Sequence, residues 1–585
     1  MLRFSHTLAI VFALLTSTSF AADGPVHLVE EPPVKVETVA PNVVLVDFGR
    51  VAFGNIQLVA PTDAAGKKIT VHFGEDFEDG RVNQKPPGSV RYASVDVVLD
   101  AKAGQVVAPK ADARNIHQPE AVLTPQEFGV LIPFRWVEIE SWPGELRAEN
   151  IRRRAAFASS WDDAAASFES SDSMLNRIWD LCRYSIKATT FAGVYVDGDR
   201  ERIAYEGDAY LNQLSHYYAE GDIEMARATF DRLMKFPTWP TEWASHMIFI
   251  AHADWMQTGD TTWLAPRYEA LKKKLHLEKA REDGLIVTPE KKLKDDLVDW
   301  PVGERDGFVF TPVNTVVNAF HIRALSYMAD LAKALGKSTD AADYTRRETT
   351  ALSSFTKVLY DEERGLYRDG EGTDHCSLHA NLFPLAFGLV PPENRKEITQ
   401  WLIDRGMACS VYAAQYLLEG LFENNAASAA LALMTADNDR SWKHMVDSGT
   451  TITWEAWDQR YKPNQDWNHA WGAAPANLLP RFVLGAQPLT PGWTTAIIRP
   501  CPGNLKSAEG KIPTPLGPIT IRWTNTGTFK LDVTLPGQMK ARIHIPAGDS
   551  KEIFLNGKSI PAEREGSYRV IDAAVSGKVS IEAGR

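Results

Sequence analysis

Cysteine is scarce in this sequence of 585 residues. The four present, Cys182, Cys376, Cys409 and Cys501, are far apart and form no CxxC pair, so neither a disulfide framework nor a thiolate metal cluster organises the chain, and buried free thiols are expected. Positive charge is in deficit, with 63 Lys and Arg against 75 Asp and Glu, a net charge of −12. No basic surplus exists to neutralise phosphates, which argues against nucleic acid as a partner. Nucleotide-binding glycine loops placed after a strand, a GxSxG elbow and an HExxH pair are all missing. The one tight histidine pair, His375 and His379, has no third ligand to complete a metal site, so neither a metal nor a cofactor is expected. Beyond residue 22 no run approaches the roughly 18 apolar residues of a membrane span.

Residues 1–22 read as a secretory signal. Arg3 supplies the positive start, Leu8 to Leu15 the apolar core, and Ser19-Phe20-Ala21 the small residues around a cut near Ala21/Ala22. A secreted or periplasmic protein is the expectation. From about 38 to 147 the hydrophobic period is two, as in Ile69, Val71 and Phe73, which predicts a β-sandwich over 23–160. The period then becomes helical: Met174, Ile178 and Leu181 follow the capping candidate Asp172. About twelve helices, starting near 172, 208, 222, 242, 261, 314, 339, 377, 393, 410, 425 and 469, predict an (α/α)6 toroid over 161–486. Period two returns with Ile519, Ile521 and Trp523, giving a second antiparallel β-sandwich over 487–585. The fold class is therefore multidomain α+β, a central toroid flanked by two β-sandwiches.

What the chain has in surplus is tryptophan, 17 in all, of which 13 lie between 161 and 485. Flat indoles stack well on sugar rings, so the toroid is where aromatic walls are expected. The densest acidic segment, Asp197 to Asp208, carries five carboxylates and two arginines in a glycine-bearing loop before a helix. Crowded carboxylates raise the pKa of at least one of them, which glycoside hydrolysis needs in its proton donor. An ion-paired loop and a calcium site are the alternatives. In Gly449 to Asp458, Glu455 stands between Trp454 and Trp457 and suits a base acting through water. Asp466-Trp467-Asn468-His469-Ala470-Trp471 and Asp299-Trp300-Pro301 are two more polar and aromatic loops.

Taken together these segments resemble the bacterial α-L-rhamnosidases of glycoside hydrolase family 78. The likeness rests on Arg200-Glu201-Arg202 through Gly207-Asp208, on Gly449 through Glu455, on Asn468-His469 and Ile498-Arg499-Pro500, and on Asp47-Phe48-Gly49 with Arg135-Trp136-Val137-Glu138. The resemblance implies an exo-acting, inverting hydrolase acting on a rhamnose-containing glycoside or polysaccharide, with Glu201 as general acid and Glu455 as general base. By the same likeness Asp197 and Asp208 would hold sugar hydroxyls. Asp199, Arg200, Tyr205, Trp300, Trp454, Trp457 and His469 are further candidates for the substrate site. Two departures stand out: only three residues separate Asp197 from Glu201 where the family has four, leaving Asp197 and Asp199 as rival sugar ligands, and Ala204-Tyr205-Glu206-Gly207-Asp208 replaces Gly-Trp-Thr-Gly-Asp. The competing readings are a uronate hydrolase or lyase on the same toroid, and an inactive carbohydrate-binding protein. Linkage, aglycone and oligomeric state stay open.

Overall fold

The period-two run of the N-terminal part folds into one hydrogen-bonded sheet of eight strands lying between Val26 and Ala158 in a computed structural model. The structure describes residues 24–100, 104–116, 120–547, 550 and 552–584, so the signal reading of 1–22 lies outside the described residues. One long strand, Val43–Leu58, organises the sheet by changing partners along its length. Its first half pairs with Lys35–Ala40 and its second with Ile151–Ala158 and Gln105–Val107, while Ile132–Glu140 runs beside both halves. The register breaks between Asp47 and Ala52. There Asp47 accepts the Gly49 N–H at 2.6 Å and both donors of Arg135 at 2.8 and 3.0 Å, so the Asp47-Phe48-Gly49 and Arg135 segments form one bulge that bends the sheet. Val46, Ile56, Val71, Phe73, Phe134 and Ile139 fill its core.

Helices follow: α1 (Ser173–Ala188), α2 (Glu206–Ala219), α3 (Glu224–Lys235), α4 (Ala244–Thr258), α5 (Thr261–Leu264), α6 (Tyr268–Lys272), α7 (Thr315–Ala334), α8 (Ser338–Leu359), α9 (Leu378–Ala386), α10 (Arg395–Arg405), α11 (Val411–Glu423), α12 (Ala427–Met434), α13 (Trp442–Asp447) and α14 (Pro475–Leu478). Of these, α2, α4, α7, α9, α11 and α14 touch in that order, and α14 returns to α2, closing an inner ring. Position in the ring shows in the sequence. Every residue of inner α2 except Leu214 is buried, whereas outer α8 buries only Ala341, Tyr344, Ala351, Phe355 and Leu359, one stripe at helical spacing. Most predicted starts lie within a few residues of observed ones. The predicted last helix near 469 instead begins as a turn at Ala470–Gly472 and becomes helical only at Pro475, because Thr453 takes the His469 N–H through its backbone carbonyl. Among the described residues no helix is long and apolar enough to cross a membrane.

The C-terminal residues form two sheets, one of five strands and one of seven. Ile519, Ile521 and Trp523 face inward while Thr520 and Arg522 face out. The first strand of the larger sheet is Ser167–Ser170, which comes from the start of the helical part and pairs with Ser507–Ile512, tying toroid and tail together. The N-terminal sheet is tied to the toroid as well. Val51 donates to Thr451 Oγ1 at 2.8 Å, and the Ser89 N–H reaches the Gln465 carbonyl at 3.0 Å. All four cysteines are free thiols.

Candidate active site

The amino-terminal ends of the inner helices converge on one mouth of the ring. Asp208 lies in the first turn of α2, Trp243 is the N-cap residue of α4, and His469 and Trp471 belong to the turn that leads into α14. Unpaired N–H groups and dipole ends at such termini favour negative or electron-rich groups. A cavity of about 130 Å³ opens there, lined by Asp197, Arg200, Glu201, Tyr205, Asp208, Trp239, Trp243, Leu297, Trp300, Glu455, His469 and Trp471. The acidic loop and the Glu455 loop, remote in sequence, thus share one cavity.

Arg200 joins the two glutamates. Its guanidinium donates to Glu455 at 2.6 and 3.0 Å, and its Nε stands 3.6 Å from Glu201 Oε1. Glu455 is buried, and Lys462 Nζ adds a second cation at 3.0 Å. Burial raises its carboxyl pKa, but Arg200, His469 and Lys462 outweigh that and hold Glu455 below the usual carboxylate range, hence ionised. Glu201 has a different setting: its side chain is 33% exposed and accepts a hydrogen bond from Tyr205 Oη at 3.0 Å. The two carboxylates are chemically unequal, the condition for splitting acid and base work between them.

Sugar-sized polar contacts surround this pair. Burial pushes Asp197 well above its ordinary range, with His469 opposing and Glu201 and Asp466 reinforcing the rise. His469 lies between Asp208 (2.8 Å from Nε2) and Asp466 (3.2 Å from Nδ1). Burial would lower the imidazole pKa, but the two carboxylates carry it well above normal, so His469 stands as an imidazolium. Glu455, Asp466 and His469 present ligand atoms within 4.8 Å of one another, the spacing a cation would use. Arg200 and Lys462 already supply positive charge to Glu455.

Not every residue expected at the site is there. Asp199 faces away: Arg91 from the N-terminal sheet and Arg202 both pair with it, holding its carboxyl below the usual range despite burial. Of the two rival sugar ligands, only Asp197 lines the cavity. Trp457 is wholly buried, donates to the Cys409 carbonyl at 2.7 Å and packs edge-on against Trp442. Trp454 is stacked on Trp467, at 5.1 Å between ring centres. Both indoles beside Glu455 are therefore core rather than sugar wall. His375 and His379 are not paired either, since His375 binds Asp369 at 2.6 Å and His379 binds Asp299 at 2.6 Å.

The walls come instead from Trp239, Trp243, Leu297 and Trp471, together with the expected Trp300. Trp239 and Trp243 carried a readable signal, two indoles four apart with Pro240 between them, just before a helix. Leu297 and Trp300 are set by a buried brace. Glu242 accepts the Leu297 and Val298 N–H groups at 3.0 and 2.6 Å, holding Val298 at φ 64°, a left-handed conformation costly for a β-branched residue. Asp299 then bonds His379 on α9 and accepts the N–H of Ser410, whose side chain caps α11, and it also accepts the Trp300 N–H at 2.9 Å, which fixes Trp300 at the cavity.

The N-terminal sheet also supports the acid loop. Glu75 accepts from Asn468 Nδ2 at 3.0 Å and the Arg91 N–H at 2.7 Å, and Asn468 Oδ1 accepts the Asp199 N–H at 2.7 Å. Gly198 sits at φ 105°, and a Cβ there would lie 2.8 Å from Asp466 Oδ2 and 2.9 Å from Asn468 Oδ1. Only glycine lets the two loops meet this closely.

A family model described as the bacterial α-L-rhamnosidase six-hairpin glycosidase domain matches residues 163–483. The chain belongs to the bacterial α-L-rhamnosidase family. Two further models of that family match on either side, the concanavalin-like domain at 37–157 and the C-terminal domain at 485–558. Among curated proteins, an α-L-rhamnosidase of Alteromonas sp. is 25% identical over 92% of this chain and 60% of its own length. One from Streptomyces avermitilis is 23% identical over 90% of this chain and 50% of its own. The chain thus spans only half to three-fifths of these relatives. Its fold is shared with the solved α-L-rhamnosidase of Dictyoglumus thermophilum, at TM-score 0.76 and 20% identity over 95% of this chain and 63% of that one. The S. avermitilis structure complexed with L-rhamnose also has TM-score 0.76 at 20% identity, covering 96% and 54%.

Proposed function

We propose that this protein is an exo-acting α-L-rhamnosidase that removes terminal rhamnose from glycosides or polysaccharides with inversion. The observation that carries the reading is the unequal glutamate pair on one cavity. Glu201, partly exposed and bonded to Tyr205, is the proton donor to the glycosidic oxygen, while Glu455, buried and ionised by its cations, is the base that activates water. Inversion requires the two carboxylates to stand roughly 6.5–9.5 Å apart, leaving room for that water. The cavity is small and lies at the mouth of the ring, a size that suits the terminal ring of a chain. Asp197, Asp208 and His469 hold its hydroxyls, and Trp243, Trp300 and Trp471 cover its apolar edges. Residues 1–22 are proposed to export the protein.

The test is release of L-rhamnose from an aryl α-L-rhamnoside and from rhamnose-bearing polysaccharides, with the first-formed anomer followed by proton NMR. Glu201→Gln and Glu455→Gln should each lower kcat by roughly 10²–10⁴-fold, and the first product should be the β-anomer. Full activity in either variant, or an α-anomer formed first, refutes the assignment.

A further inference from the structure

Trp239 is the one wall residue of the cavity that is mostly in solvent, 58% exposed. A large indole has no reason in packing to sit there, and the backbone that carries it is constrained. Pro237 and Pro240 flank it and restrict the local backbone. The preceding Thr238 is anchored to buried Glu206, which accepts its N–H at 3.0 Å and its hydroxyl. Glu206 is the carboxylate by which this loop departs from its family's Gly-Trp-Thr-Gly-Asp, so the substitution has a visible use.

The position of this platform follows from the chemistry, resting on the assignment of Glu201 as the acid. The acid must face the oxygen that leaves, so whatever is attached to that oxygen lies on the Glu201 side of the cavity. Tyr205 bonds Glu201 at 3.0 Å, and Trp239 stands edge-on to Tyr205 at 6.0 Å between ring centres and 88°. The path from acid to Tyr205 to Trp239 therefore runs outward along the leaving group. We propose that Trp239 is the platform of the leaving-group subsite and that it selects rhamnosides whose leaving group presents a flat ring face. Such a face is offered by an aromatic aglycone or by the apolar side of a second pyranose.

Three substrates test it: methyl α-L-rhamnoside, an aryl α-L-rhamnoside and a rhamnosyl-glucose disaccharide, each measured with wild type, Trp239→Ala and Trp239→Phe. The ratio of kcat/KM for a ring-bearing substrate over the methyl glycoside should fall roughly 10-fold in Trp239→Ala, and Trp239→Phe should restore most of it. A fall confined to the aryl substrate identifies an aromatic aglycone, and a fall with the disaccharide identifies a sugar. Unchanged ratios in Trp239→Ala overturn the proposal. Wild type inactive on all three substrates would instead overturn the functional reading beneath it.

Discussion

Arg200→Gln is the sharpest test of how the site is charged. Glu455 is buried, and burial alone would drive its carboxyl pKa upward; Arg200 is the largest single influence holding it down. Both side chains are shielded from water, at 13% and 2% exposure, so solvent screening weakens their pairing little. Breaking such a pair by removing one partner costs about 3–5 kcal/mol. Because Lys462 and His469 remain, the lower figure, about 3 kcal/mol, applies, and without Arg200 the Glu455 carboxyl pKa rises in the direction that burial favours. A base works only when ionised, so the acidic limb of the kcat/KM profile should move to higher pH. The assay is hydrolysis of an aryl rhamnoside from pH 4 to 9, reading the position of the limb rather than its height. An acidic limb that stays in place, or moves down, would refute the assignment of Glu455 as the base restrained by Arg200. The depressed carboxyl also stabilises the fold above its unfolded pKa of about 4.5 and loses that contribution as pH falls, so Arg200→Gln should flatten the acid side of the stability curve.

Other perturbations separate support from contact. Burial raises Glu75 to about 8, so the native chain keeps a proton that the unfolded chain releases near 4.5, and stability should decline between those values as pH rises. Glu75→Gln should remove most of that slope in urea melts at stepped pH, and an unchanged slope would show that Glu75 does not titrate there. Trp457→Phe should cost about 1–3 kcal/mol in urea unfolding through its lost Cys409 hydrogen bond and packing volume, with KM for rhamnosides changed less than 2-fold. A large KM effect with little loss of stability would return Trp457 to the sugar wall.

Much of the fold was legible because its causes are local. Asp172 accepts the Met174 N–H at 2.8 Å and Ser410 accepts those of Tyr412 and Ala413, so side-chain caps that are visible in the sequence do start α1 and α11. The alternation at Ile519, Ile521 and Trp523 reports a sheet face for the same local reason. The acidic loop and the Glu455 loop were also legible, as dense clusters of costly residue types. The roles of neighbours inside those loops were not. Asp197 and Asp199 are two positions apart and alike in sequence, yet one lines the cavity and the other is taken by Arg91, 108 residues upstream. The indoles beside Glu455 look like a sugar wall, but Trp442, Cys409 and Trp467 claim them for the core.

Periodicity, caps and composition by themselves determined the three-part architecture and the candidate site segments, because each acts over a few residues of chain. Closure of the inner ring decided the rest. It carried Arg200 onto Glu455, His469 between Asp208 and Asp466, and Trp239 to the rim beside Tyr205. Side-chain direction and burial follow from contacts between distant segments, and these set which carboxyl keeps its charge and which ring is left to face a ligand.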